Sequence, residues 1–121
     1  MTQIQSSKRY DLEERTYRFA HACKNFCHEL PHQTANFEYI KQLVRSSASV
    51  AANYIEANES MSRKDFSHRV KICRKEAKES CLWLRLCDID EDNYLAGQRQ
   101  RLFQEATELT KIFGSIVGKC K

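Results

Sequence analysis

Along residues 42–56, QLVRSSASVAANYIE, apolar and small polar positions separate onto different sides of a single helix. Phe37, Ile40, Val44, Ala51 and Ile55 recur at helical steps and form an apolar stripe. Gln42, Ser46, Ser49, Asn53 and Glu56 recur by four, three, four and three and form a polar one. Both spacings follow from a helix that advances ~3.6 residues per turn. The apolar stripe predicts the core-facing side. The small polar stripe predicts close approach of a neighbouring backbone and supplies groups that need partners wherever they are buried.

The same periodicity divides the rest of the chain. A first helix is expected from about Tyr10 to Glu29, with Leu12, Phe19, Cys23, Phe26 and Leu30 on its core side and Thr16 filling the missing step. Leu30-Pro31-His32 stops it, because proline disfavours helix in the residue before it. A second helix is expected from Gln33 or Thr34 to Ala57, with Thr34 as N-cap. After a turn at 58–61, Ser62 caps a third helix, and Asp65 three residues on nearly matches the capping-box pattern. That helix is expected from Arg63 to Cys87 or Ile89, with Phe66, Val70, Cys73, Ala77, Cys81 and Leu84 as its core stripe. The acidic run DIDED at 88–92 ends it, and Gly97 marks a further loop or a loose start to the fourth helix. The fourth runs to Val117, with Leu102, Ala106, Leu109, Phe113 and Ile116 as its stripe and Ile112 and Val117 widening it.

Four amphipathic helices joined by short connections predict an all-α fold, an up-down-up-down antiparallel four-helix bundle over 10–117. Residues 1–9 are expected to be frayed and 118–121 to form a polar tail. The second and third helices carry more apolar surface than one buried stripe requires. The surplus, Tyr39, Leu43, Val50 and Tyr54 on one and Ile72, Trp83 and Leu86 on the other, is expected to be buried against another subunit.

Composition narrows the class. Of 121 residues, 41% are hydrophobic and 30% charged, and three glycines with one proline disfavour a turn-rich β fold. No run of about 18 apolar residues occurs, so no membrane span is expected. The N-terminus lacks an apolar signal core, which favours a cytoplasmic location. Net charge is +4, but residues 61–85 hold eight Lys and Arg against three acids, followed at once by Asp88, Asp90, Glu91 and Asp92. Six cysteines stand at 23, 27, 73, 81, 87 and 120, and five fall within helical patterns. Reduced core thiols are expected.

The sharpest lead to function is a basic ridge. Lys64, His68, Lys71, Lys75 and Lys78 follow four-three-four-three steps with Arg74 beside them, so they line one side of the third helix. At ~1.5 Å per residue the ridge is roughly 21 Å long, a scale suited to phosphates of RNA or DNA. A solvated lysine face is the competing account. Aromatics are absent from the ridge, which gives no support for base stacking along it. A second group, Arg45, Ser46, Ser49, Asn53, Glu56, Glu76 and Glu79, is expected to form a structural or inter-subunit polar network, with Arg45 meeting a carboxylate of the third helix. Arg45 and Glu56 share a side but are three turns apart and cannot pair. A ligand pocket around Arg45, Glu76 and Glu79 is a weaker alternative.

No metal site or cofactor is expected. Cys23, Cys27 and His28 lie near each other, but CxxC, HxxxH and HExxH are absent. A catalytic residue is not expected either, since no GxSxG, phosphate loop or dinucleotide fingerprint occurs.

Residues 42–59, QLVRSSASVAANYIEANE, resemble the pattern Q-L-x-R-S/A-S/A-x-S-I/V-x-A-N-I-x-E-G of the 23S rRNA intervening-sequence protein family. ELP at 29–31, KDF at 64–66 and RKEAKESCLWLRL at 74–86 fit its first-helix stop and third helix. The resemblance covers about 10–115. It implies an up-down bundle assembling into a ring-like homopentamer, in a bacterial family of unknown function. The accessory variability protein of diversity-generating retroelements, which is pentameric, basic and works with nucleic acid, is similar at the level of fold alone. One departure is Ala57, where the family pattern has glycine; Asn58 can take the left-handed conformation that glycine would.

Together these features predict a non-enzymatic, oligomeric helical scaffold that binds RNA or DNA electrostatically through the ridge. The alternative is a protein–protein interaction module with no nucleic-acid binding.

Overall fold

The computed structural model describes residues 2–120, with side chains from residue 11 onward. The frayed segment expected at 1–9 and the last residue of the polar tail fall outside the described side chains. Four α-helices follow in order: α1 Thr2–His28, α2 Thr34–Asn58, α3 Arg63–Leu86 and α4 Asn93–Lys119. No strand occurs among the described residues. Each helix packs on its neighbours in the chain, α4 closes against α1, and that last pair meets least. No described helix is long and apolar enough to cross a membrane.

Local chemistry explains most boundaries. Pro31 cannot continue α1, whose last turn tightens through Glu29 N to Phe26 O and Leu30 N to Cys27 O. The expected cap at Thr34 is not found. Thr34 is already helical, and Gln33, extended at φ −128° and ψ 151°, occupies the cap position without a side-chain bond to the helix end; its Nε2 donates to Asp90 Oδ1 at 2.9 Å. Ser62 Oγ does accept from the Asp65 N–H, at 3.1 Å. The fourth helix begins earlier than expected because Asp92 Oδ1 accepts from the Leu95 N–H at 3.0 Å. Gly97 therefore lies inside α4 and is no loop. At the end of α2 no residue is left-handed: Asn58 remains helical and Glu59 leaves at φ −93°. Positive φ among non-glycine residues occurs at Asp90 and Glu91, in the α3–α4 turn.

The core holds Phe19, Cys23 and Phe26 of α1, Val70, Cys73 and Leu84 of α3, and Leu102, Leu109 and Phe113 of α4, all on the expected stripes. Burying one such side chain contributes about 1.5–3 kcal/mol. On α2 the expectation is reversed. Phe37, Val44 and Ile55, expected in the core, are 51%, 40% and 51% exposed. Leu43, Val50 and Tyr54, expected against another subunit, are fully or nearly fully buried within this chain. Helix α2 sits between α1 and α3 and must present small groups as well as apolar ones to both. The face carrying Leu43, Ser46, Ser47, Val50 and Tyr54 does so, since Ser46 and Ser47 let the neighbouring helices approach closely. Of the surplus on α3, Ile72 and Trp83 are half-buried, and Leu86 is 44% exposed.

Polar contacts set the register. Ser46 meets Ser80, Val50 meets Cys73 and Asn53 meets Arg69, so numbers fall on α3 as they rise on α2. At one end of the bundle, the fully buried Asn36 donates through Nδ2 to the Pro31 carbonyl at 3.0 Å and the Asp88 carbonyl at 2.9 Å. Its Oδ1 accepts from the Asp88 N–H at 2.8 Å. One amide thus ties the α1–α2 connection to the α3–α4 connection. On the least-packed side, Arg15 forks onto Glu105 at 2.7 and 2.8 Å, joining α1 to α4. The hydrogen bonds to Glu105 raise the Arg15 pKa further above its ordinary value.

Candidate nucleic-acid interface and the polar seam behind it

Helix α3 sorts its charges by side. Toward α2, Arg45 Nη1 lies 3.2 Å from Glu76 Oε2 and Nη2 lies 3.4 Å from Glu79 Oε1. The Glu76 side chain is 8% exposed, and its Oε1 is buried without a partner. Next to this pair Ser80 Oγ donates to the Glu76 carbonyl at 2.9 Å. The Ser46 and Ser80 hydroxyls lie 2.8 Å apart, and either can be the donor. Farther along, Asn53 donates to Ser49 Oγ and to the Ser49 carbonyl, both at 2.9 Å, and accepts from Arg69 Nη1 at 3.1 Å. The structure therefore brings Arg45, Ser46, Ser49, Asn53, Glu76 and Glu79 into one seam between α2 and α3. Glu56 stands apart: its side chain is exposed and makes no contact in the seam, while its backbone carbonyl accepts from Ser60 Oγ and the Glu59 N–H at the end of α2.

Two partners in the seam were not singled out from the sequence. Ser80 was hidden because a serine flanked by charged and apolar residues carries no periodic signal of its own. Arg69 counted only toward the local basic charge, yet it turns to α2. Asn36, the amide at the end of the bundle, was likewise invisible, since two of its three bonds are to backbone groups of Asp88, 52 residues away in the chain.

On the opposite side of α3, Lys64, His68, Lys71, Lys75 and Lys78 are all exposed. No carboxylate among the described residues forms an ion pair with them. Arg74 is exposed too but leans onto α4, where a Cβ placed on Gly114 would lie 3.7 Å from its Cδ. The acids of α3 at Glu76 and Glu79 are spent on Arg45, and the lysine line is left uncompensated.

The buried thiols offer little reactivity. All six cysteines are free. Burial pushes Cys27 and Cys73 up to about 12 and Cys87 up to about 11, and drives Cys23 up as well. Protonated thiols are poor nucleophiles and poor metal ligands. Cys23 and Cys27 face the core, whereas His28 is exposed, so the structure does not join these three. Among the described residues no group of three or more His, Cys, Asp or Glu could hold a metal ion.

Comparison with known proteins agrees with this geometry. The family model described as 23S rRNA-intervening sequence protein matches residues 8–115. The chain belongs to this family. A similar solved structure is a protein of unknown function from the S23 ribosomal protein family of Bacteroides thetaiotaomicron. It shares 30% identity, with a TM-score of 0.77, over 92% of this chain and 98% of that one. No curated protein matches. In this member of the 23S rRNA-intervening sequence family, the family-like string at 42–59 supplies Arg45, Ser46, Ser49 and Asn53 to the seam, and its Ala57 is accommodated by a helix that simply continues through Asn58.

Proposed function

We propose that this protein is a non-enzymatic cytoplasmic scaffold that binds RNA or DNA through phosphate contacts along α3. In this reading the bundle is up-down-up-down and assembles as a ring-like homo-oligomer, which presents the ridge several times. The observation that carries it is the sorting of charge on α3: its seam acids are paired with Arg45, while Lys64, His68, Lys71, Lys75 and Lys78 stand exposed and unpaired. Each phosphate neutralised releases counterions, so affinity should fall steeply with salt and carry little base specificity. Repetition around a ring raises avidity without new contacts. The seam would hold α2 and α3 in register beneath this surface.

The test is a binding series with labelled duplex DNA, structured RNA and single strands at increasing salt. Reversing Lys71, Lys75 and Lys78 to Glu should abolish binding and leave the oligomer intact. Unchanged affinity in that variant would overturn the reading.

A second reading, a protein–protein interaction module, draws on the exposed apolar stripe of Phe37, Val44 and Ile55 on α2, with Tyr17 exposed on the adjoining α1. Such a stripe is suited to covering by another protein surface. A normal protein absorbance spectrum after purification, with no binding of nucleic acid at low salt, would favour it over the first.

A further inference from the structure

Where α3 runs beside α4, the surface is cationic at both ends. At one end Arg63, Lys64, His68 and Lys71 line a space of about 450 Å³ together with Cys120, just past α4. At the other, Arg85 of α3 meets Arg99, Gln100 and Phe103 of α4 around a space of about 300 Å³. No acidic residue lines either space. Acids of both helices are engaged elsewhere: Glu76 and Glu79 meet Arg45 of α2, and Glu105 and Glu108 meet Arg15 of α1. In the turn between α3 and α4, Asp88 Oδ1 accepts from the Asp90 N–H, Asp90 Oδ1 from Gln33 Nε2 and Asp92 Oδ1 from the Leu95 N–H.

Two arginines thus share one small space, and no carboxylate among the described residues forms an ion pair with either. Their like charges repel, and an anion between them relieves the repulsion. Arg99 is half-buried and held in place, since its Nη1 donates to the Cys87 carbonyl at 2.8 Å. One N–H of its guanidinium is committed there, and the rest of the fork remains for a ligand. Gln100 adds an amide that can donate, and the Phe103 ring lowers the dielectric on one side. A planar cationic fork matches the oxygens of a phosphate bidentately.

Continuity with the ridge identifies the source of that phosphate. Lys71, Arg74, Lys78 and Arg85 recur by three, four and seven, so Arg85 extends the line by about two turns beyond Lys78. At ~1.5 Å per residue the line from Lys64 to Arg85 is roughly 32 Å long, against roughly 21 Å for the ridge alone. A free phosphate ion would leave that line unused.

We propose that Arg85, Arg99 and Gln100 form a seat for one backbone phosphate of the nucleic acid that follows the ridge, where the strand crosses from α3 onto α4. The proposal rests on the ridge reading. The lysines supply flexible point charges, and the arginine pair adds one fixed position at the end of their line.

The experiment is fluorescence anisotropy of a labelled DNA duplex and a labelled RNA hairpin across a salt series, with wild type, Arg85→Gln, Gln100→Glu and Arg101→Gln. Arg85 and Gln100 are exposed, so both variants should keep the wild-type thermal midpoint. Arg101 is exposed too, but two residues on from Arg99 it lies on another side of α4, and its loss changes net charge as Arg85→Gln does. One phosphate contact contributes about 0.9 to the slope of log K against log salt, which over the decade from 1 M to 0.1 M is about eightfold in affinity. Arg85→Gln should lower the slope by about 0.9 and weaken binding about eightfold at 0.1 M salt. Gln100→Glu, which puts a carboxylate beside the two arginines, should lower the slope at least as far. Arg101→Gln should leave the slope at its wild-type value. If Arg85→Gln and Arg101→Gln behave alike while reversal of Lys71, Lys75 and Lys78 still abolishes binding, the seat is overturned and the ridge reading stands. A wild-type slope in Gln100→Glu would overturn the seat as well. Binding of neither nucleic acid by the wild type would overturn both.

Discussion

Replacing Asn36 with Ala should be among the most damaging polar substitutions in the chain. The side chain is 0% exposed and makes three hydrogen bonds of 3.0, 2.9 and 2.8 Å, all to the backbone of the two connections at one end of the bundle. Truncation strands the backbone carbonyl and the backbone N–H of Asp88, while the Pro31 carbonyl keeps the Gln33 N–H at 3.1 Å. Each buried group left without its partner costs about 1–3 kcal/mol. Asp88 is itself exposed, so water can reach part of its backbone, and the low end of that range applies. Two losses at about 1 kcal/mol each come to about 2 kcal/mol. For a chain of this size that corresponds to a fall in Tm of about 6–10 °C. Thermal unfolding followed by circular dichroism at one fixed protein concentration measures it. Concentration must be held constant because any self-association shifts the midpoint. Asn36→Asp sharpens the test, since it keeps an acceptor for the Asp88 N–H but turns an oxygen toward two carbonyls. A carboxyl in that place would be favoured in its neutral form, which could donate to one of them. Its folded pKa would lie above the unfolded value, so its stability is fully present below the unfolded pKa and lost as pH rises through the folded one. The Asp variant should therefore be less damaged near pH 4 than at pH 7. A Tm within about 2 °C of wild type for Asn36→Ala would refute the claim that this amide pins the two connections together.

Gly97→Ala should stabilise the protein by about 0.5–1 kcal/mol in urea unfolding, because the glycine lies inside α4 and nothing stands within 4 Å of an added Cβ. In a double-mutant cycle, Arg45→Ala and Glu76→Gln should couple by about 1 kcal/mol; a value near zero would show that the 3.2 Å contact does not hold the seam. Stability should decline at alkaline pH, since buried thiols have folded pKa values raised from 9.0 to about 12 at Cys27 and Cys73. A raised folded value means the contribution is intact below about pH 9 and is lost as pH climbs toward 12; a Cys27→Ala, Cys73→Ala double variant should show a shallower decline in a pH series of urea midpoints.

What the sequence determined by itself was local and periodic. Four helices, the break at Pro31, the Ser62 cap and the core stripes of α1, α3 and α4 were legible because each depends on neighbours within a turn or two. The lysine line on α3 was legible for the same reason, as spacing alone places those residues on one side. The meeting of Arg45 with Glu76 and Glu79 could be anticipated, since their chemistry is complementary and both helices were known. The sequence could not say which of two apolar stripes on α2 is buried. Phe37, Val44 and Ile55 read as well as Leu43, Val50 and Tyr54, and periodicity measures the separation of faces without naming the one that fits between α1 and α3. Only packing decides that, because close approach selects the face whose bulk and small hydroxyls match both neighbours. Asn36 at Asp88 and Ser46 at Ser80 were decided in the same way. Each joins groups far apart in the chain, and no local pattern records a partner that arrives only when the helices close.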